Sequence, residues 1–180
     1  MNLKKVIDMS TFFMSNAGGR IPYLKLMKLL YLSDRKCLEQ FGYSMSEDTH
    51  YSMKYGPILS VTLDLLRNKP VAPKLKNEWS KFIKTDDYDV VIENSSNLSS
   101  LSQADTQLLE QIWEDYQDVE KFDLAEFTHQ FCPEWKDPGN SRIKIETSDI
   151  FEALNMDTKI KEAYIMRQKE QDSIANIFGC

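Results

Sequence analysis

Two histidines, three cysteines and scattered carboxylates are the side chains of this 180-residue chain best suited to catalysis or metal binding. A zinc site wants Cys, His or carboxylate ligands at fixed spacing. His50 and His129 stand in no such string, and Cys37, Cys132 and Cys180 are far apart and odd in number. That cysteine pattern suits a reducing compartment. Serine nucleophiles sit on special turns such as Gly-x-Ser-x-Gly, and phosphates are cradled by glycine-rich loops. Neither string occurs here, so no catalytic residue, metal or cofactor is assigned. Thr128-His129, followed by Pro133-Glu134-Trp135, reads as a packing knot closing a short helix, with His129 bonding backbone and Trp135 covering it. A histidine tuned for catalysis normally comes with a recognisable partner.

Three other groups bear on binding. Asp34-Arg35 lies within a densely apolar helix. A desolvated charge there must be paired, with Asp64 or Lys54 as candidates; the alternative is a solvated helix face. Lys54-Tyr55-Gly56-Pro57 is the most distinctive local string. As punctuation, Gly permits positive φ or close backbone approach, and Pro pre-sets the first residue of a helix. As a binding feature, the turn displays Lys54 and Tyr55 at an edge with little entropy left to lose. Glu110, Glu114, Asp115, Asp118 and Glu120 make an acidic face, either plain solvated surface or a contact for a basic partner.

Composition narrows the partner class. Net charge is −6, but residues 1–82 carry 13 Lys/Arg against 7 Asp/Glu, and residues 83–180 carry 9 against 21. The halves either pack together through complementary surfaces or leave the acidic half to face a basic partner, where such fields speed encounter. An acidic chain is a poor nucleic-acid binder, since phosphate neutralisation needs clustered Lys/Arg. No apolar run is long enough to cross a bilayer. Asp8 interrupts the apolar stretch after Lys4-Lys5, so no signal peptide is read and a cytoplasmic location is expected.

The elements that must position these groups are mostly helices. Residues 3–16 form one, stopped by Gly18-Gly19. A second starts with Pro22 in its first turn and runs to about Phe41; its apolar positions are too dense for one stripe, so it is central. Thr49–Tyr55 is short and extended or irregular, and Gly56-Pro57 starts a third helix from Ile58 to about Arg67. Residues 79–93, with Trp79, Phe82 and Ile83 before Thr85-Asp86-Asp87 and Tyr88, Val90, Val91 and Ile92 after, read as a β-hairpin. Ser102 and Asp105 resemble a capping box for a helix to about Asp118. A helix at 123–130, a small strand at 142–145, a short helix at 149–154 and a last helix at 157–178 complete the chain. The fold class is α+β and mainly α-helical: a single compact helical domain (1–156) with a small β-hairpin, and a C-terminal helix and tail (157–180) belonging to the same domain.

Lys28–Arg35, Ser52–Ile58 and Leu63–Leu66, in that order, resemble the Panacea domain, the SocA-like antitoxin family, also known as a phage-associated domain of unknown function. Later pieces agree in order: Leu101-Ser102 opening a helix, Leu124 in the next, Thr128-His129 with Pro133-Glu134-Trp135, and Ile145 with Asp149–Ala153. The resemblance implies a non-enzymatic antitoxin of a toxin–antitoxin system, neutralising a toxin encoded next door by direct binding. It also admits an adaptor that delivers the toxin to a protease. An unrecognised hydrolase using His50 or His129, and a transcription factor, are the remaining readings. No nucleic acid or membrane partner is expected. The candidate contact residues are Lys54, Tyr55, Gly56, Pro57, Glu114 and Asp118; the signature residues Tyr31, Asp34, Arg35, Thr128, His129 and Trp135 are expected to hold the fold.

Overall fold

Eleven of the nineteen residues of one helix, Tyr23–Phe41, are buried, which makes it the axis on which everything else packs. A computed structural model of the chain describes residues 1–166 and 170. In chain order the elements are α1 (Leu3–Asn16), β1 (Arg20–Pro22), α2 (Tyr23–Phe41), β2 (His50–Met53), β3 (Gly56–Leu59), α3 (Ser60–Leu66), α4 (Pro73–Trp79), β4 (Ile83–Asp86), β5 (Asp89–Ile92), α5 (Gln103–Tyr116), α6 (Lys121–Phe131), β6 (Ile143–Ile145) and α7 (Thr147–Ala153). Residues 158–166 are also helical. The α+β, mainly helical class therefore holds.

Helix α2 contacts α1, α5, α6 and strand β3. Its Leu26, Leu29 and Leu30 are fully buried with Phe13 and Met14 of α1 and Leu109 of α5. Each such side chain contributes about 2 kcal/mol by leaving water. The complementary charge of the two halves is partly used internally: Lys5 pairs with Asp105, Arg20 with Asp86 and Asp89, and Arg35 with Glu134. The capping box at the start of α5 is present, with Ser102 and Asp105 exchanging hydrogen bonds. A second one, Glu146 with Asp149, opens α7.

The described residues form two three-stranded antiparallel sheets, ordered β1-β5-β4 and β3-β2-β6. The first is the expected hairpin with β1 added; its two-residue turn is Asp87-Tyr88, so Thr85 and Asp86 belong to β4 rather than to the turn, and Tyr88 to the turn rather than to the second strand. The second contains the expected small strand at 143–145, paired to β2.

Three further expectations are corrected. The third helix begins at Ser60, because Gly56–Leu59 pairs with β2 from Met53↔Gly56 to His50↔Leu59. All four β3 residues are buried, so the strand shows no polar alternation and reads as a continuation of the helix. Pro22 ends β1 with φ −57° and ψ 130°, extended geometry outside the helix. Trp79 closes α4, a helix whose only buried residue is that tryptophan, so it carries no apolar stripe to read. Of the last helix, 158–166 is described, and Tyr164 packs edge-on against Phe151 of α7; residues 167–169 and 171–178 of that expectation lie outside the described residues.

Candidate functional site

The turn between β2 and β3 is Lys54-Tyr55, and its construction explains the string around it. Gly56 has φ +91°, and a Cβ there would lie 2.8 Å from Lys28 Nζ and closer still to Thr128 Oγ1. Only glycine fits that approach. Lys28 is fully buried on α2, and its Nζ donates to the Pro57 carbonyl at 2.7 Å. Burial pushes this amine down from 10.5 to about 7. Gly56 and Pro57 thus face inward, while Lys54 and Tyr55 are exposed.

Charged side chains on α2 anchor the surrounding loops. Tyr31 Oη and Arg35 Nε both donate to Glu134 Oε1, at 2.6 and 2.7 Å. Burial drives the Tyr31 phenol well above its ordinary value, and the Glu134 charge adds to the effect. Asp34, fully buried, accepts from the Ser46 amide at 2.8 Å, from the Ser46 hydroxyl, from Ser44 Oγ at 3.0 Å and from His50 Nε2 at 3.0 Å. The partners of Asp34-Arg35 are therefore neither Asp64 nor Lys54, and Asp34 faces no solvent. Asp48 accepts from the Val61 and Thr62 amides and from Thr62 Oγ1, capping α3 from outside the helix.

The 128–135 knot joins the same network. The His129 ring stacks on Trp135 at 4.0 Å, and Trp135 Nε1 donates to the Met53 carbonyl at 3.0 Å. Trp135 covers the histidine as expected, but His129 Nδ1 faces Glu126 Oε2 at 3.3 Å rather than backbone. Thr128 Oγ1 donates to the Ala125 carbonyl. The six signature residues thus lie in one tract joining α2, the β2–β3 hairpin, α6 and the loop behind it.

This tract does not assemble a hydrolytic relay. Ser46 and His50 both donate to Asp34, so the carboxylate lies between them, whereas an activated serine needs the imidazole in the middle. His129 Nε2 is buried with no hydrogen-bond partner among the described residues. Among the described residues, no group of three His, Cys, Asp or Glu converges as a metal site would need, and no helix is long and apolar enough to cross a membrane.

Above the network lies a groove of about 300 Å³, lined by Tyr23, Met27, Met53, Lys54, Tyr55, Ile58, Leu63, Arg67, Tyr88, Lys121 and Phe122 among others. Its aromatic rim is exposed: Tyr55 at 50%, Tyr88 at 67% and Phe122 at 60%. Each stands on a fixed corner, the β2–β3 turn, the β4–β5 turn and the first turn of α6. Tyr55 meets Phe122 edge-on at 6.4 Å, and Tyr23 stacks with Tyr88 at 6.3 Å. Lys54, Lys121 and Arg67 lie over the Tyr55, Phe122 and Tyr23 rings at 5.4–5.9 Å. The structure thus brings Lys54 and Tyr55 together with Tyr88, expected only as a strand residue of the hairpin, and with Phe122, which carried no expectation. Their signal was a large aromatic at a turn and one at a helix start. Glu114 and Asp118 are exposed but do not line the groove.

The family model described as "Antitoxin SocA-like, Panacea domain" matches residues 26–136. The chain belongs to this family. No curated protein and no solved structure matches it. The Panacea segment spans the polar network from Lys28 to Trp135 and holds the groove's three cations together with Tyr55, Tyr88 and Phe122. Membership suggests an antitoxin role, and with it a toxin as partner.

Proposed function

We propose that this Panacea-family protein is the antitoxin of a cytoplasmic toxin–antitoxin pair and neutralises a toxin encoded beside it by direct binding. The observation that carries the reading is the exposed aromatic groove around the Lys54-Tyr55 turn. Exposed large apolar groups clustered on one face mark interaction surfaces. Tyr and Phe anchors beside cations are the residue types that dominate binding energy. Two hairpin turns and a helix start hold them in place, which limits the ordering entropy a partner must overcome. We assign Lys54, Tyr55, Tyr88 and Phe122 to the centre of the contact. Glu114 and Asp118 form an outlying acidic rim that steers encounter with basic groups on the same toxin.

The test is co-expression with the neighbouring open reading frame, scored by growth and by pull-down. Rescue with a stable complex, both weakened by Phe122→Ala, is the expected result. Rescue with falling toxin levels and no complex would replace sequestration by delivery to a protease. Neither rescue nor complex would end the antitoxin reading for this chain.

A further inference from the structure

We infer that the groove takes a short acidic segment of the partner, one that inserts an aromatic or leucine side chain between Tyr55, Tyr88 and Phe122 and sets its carboxylates against Lys54, Arg67 and Lys121. The inference rests on the reading of the groove as the antitoxin's contact surface and names what that surface recognises. Among the described residues, every charged side chain lining the groove is a cation, and no Asp or Glu lines it. None of the three cations takes part in an ion pair among the described residues, each lying instead over an aromatic ring. Elsewhere many basic side chains are spoken for: Lys5, Arg20, Arg35, Lys36, Lys81 and Lys144 all have carboxylate partners within 3 Å.

On a chain of net charge −6, the described residues that line this groove carry three positive charges and no negative one. A basic segment would meet like charges there and be rejected; an acidic one completes three pairs. The cavity is at the lower end of the range for ligand pockets, so it seats one or two side chains and not a folded surface. The floor is apolar (Met27, Met53, Ile58 and Leu63), which selects an apolar anchor between the flanking carboxylates.

The experiment pans a displayed library of random dodecapeptides on the immobilised full-length protein, with no toxin present. Enriched sequences should combine Trp, Phe or Leu with Asp or Glu. A fluorescein-labelled peptide of the leading sequence should bind more weakly as salt rises. Its affinity should fall tenfold or more in Phe122→Ala and in the triple variant Lys54→Glu, Arg67→Glu, Lys121→Glu, and should persist when both lysines are replaced by Arg. Among the described residues, these side chains take part in no hydrogen bond or ion pair that holds the fold, and thermal melts verify that each variant is folded. Enrichment of basic or uncharged peptides, binding indifferent to the groove variants, or no enrichment at all would overturn the inference. So would self-association of the wild type abolished by Phe122→Ala, which would make a second copy the occupant. Because no toxin enters this assay, its failure is separable from failure of the growth rescue.

Discussion

The two sides of the Lys54-Tyr55 turn follow opposite rules. Beneath it, Lys28, Asp34 and Glu134 are buried, and each is met by a donor or acceptor from another element. Above it, Lys54, Arg67 and Lys121 line an open groove and pair with no carboxylate among the described residues. Buried charge is tolerated only when it is paired, so the lower side holds elements together. Unpaired cations at a surface cost little and stay available to a partner. The string Lys54-Tyr55-Gly56-Pro57 straddles both: its second half is structural and its first half is presented. One short signature string can therefore combine residues that hold a turn in place with residues that the turn presents.

The largest effect expected from breaking the lower side is at Glu134. Removing it in Glu134→Ala leaves Arg35 without its counter-charge and the buried Tyr31 hydroxyl without an acceptor. A loss of about 3–5 kcal/mol in urea unfolding is expected. A stable variant that merely lost partner binding would move Glu134 from scaffold to contact and blur the comparison. Gly56→Ala comes next. The residue sits at φ +91° with Lys28 and Thr128 against it, so strain and overlap together should cost about 2–3 kcal/mol. Thr128→Ala would relieve part of the overlap, and a double variant no better than Gly56→Ala alone would assign the whole cost to φ.

The pH dependence of stability sharpens the same contrast. With Lys28 lowered to about 7, the unfolded chain holds a proton between there and 10.5 that the folded chain lacks, so stability rises with pH over that window. Cys37 and Cys132 act in the opposite sense. Burial raises both from 9.0 to about 12, so their contribution is intact below pH 9 and is lost as pH climbs toward 12. Stability should climb from pH 7, on the order of 1 kcal/mol per pH unit, and turn over near pH 9. Lys28→Met should remove the rising limb, at a roughly constant cost for the unmet Pro57 carbonyl. A rising limb that survives in the methionine variant would mean another group titrates there.

Local pattern made the scaffold legible wherever an element buries one face or closes with local side chains. Helix α1 with its apolar spacing, the Ser102–Asp105 cap and the β4–β5 hairpin were all readable that way. Strand β3 was not, because an apolar run buried on all sides has the same pattern in a strand and in a helix. The three residues of β1 are too few to show any period. At the site, the turn was legible as a turn, and Lys54 and Tyr55 as presented. What could not be read is which distant groups meet there. Glu134 reaches Arg35 across 99 positions, and Phe122 meets Tyr55 only because α6 packs on α2 and β3. A lysine inside the apolar run Leu26–Leu30 was the available hint that something polar lay beneath the turn.

The smallest expected effect concerns the acidic rim, and it tests whether the groove alone defines the contact. Glu114 and Asp118 lie outside the groove, and Lys25, whose Nζ donates to the Gln117 carbonyl at 2.5 Å, feels the Asp118 and Glu120 charges. Part of the acidic face is therefore answered from within the protein. Glu114→Lys with Asp118→Lys should leave the melting temperature nearly unchanged, slow toxin association several-fold at low salt, and flatten its salt dependence while barely altering dissociation. Phe122→Ala should do the reverse and act mainly on dissociation. Measured by stopped flow, identical signatures for the two variants would mean that rim and groove form one continuous interface. Unchanged kinetics in the rim variant would confine the contact to the groove, and the acidic half would then serve the fold through pairs such as Lys5–Asp105 and Arg35–Glu134.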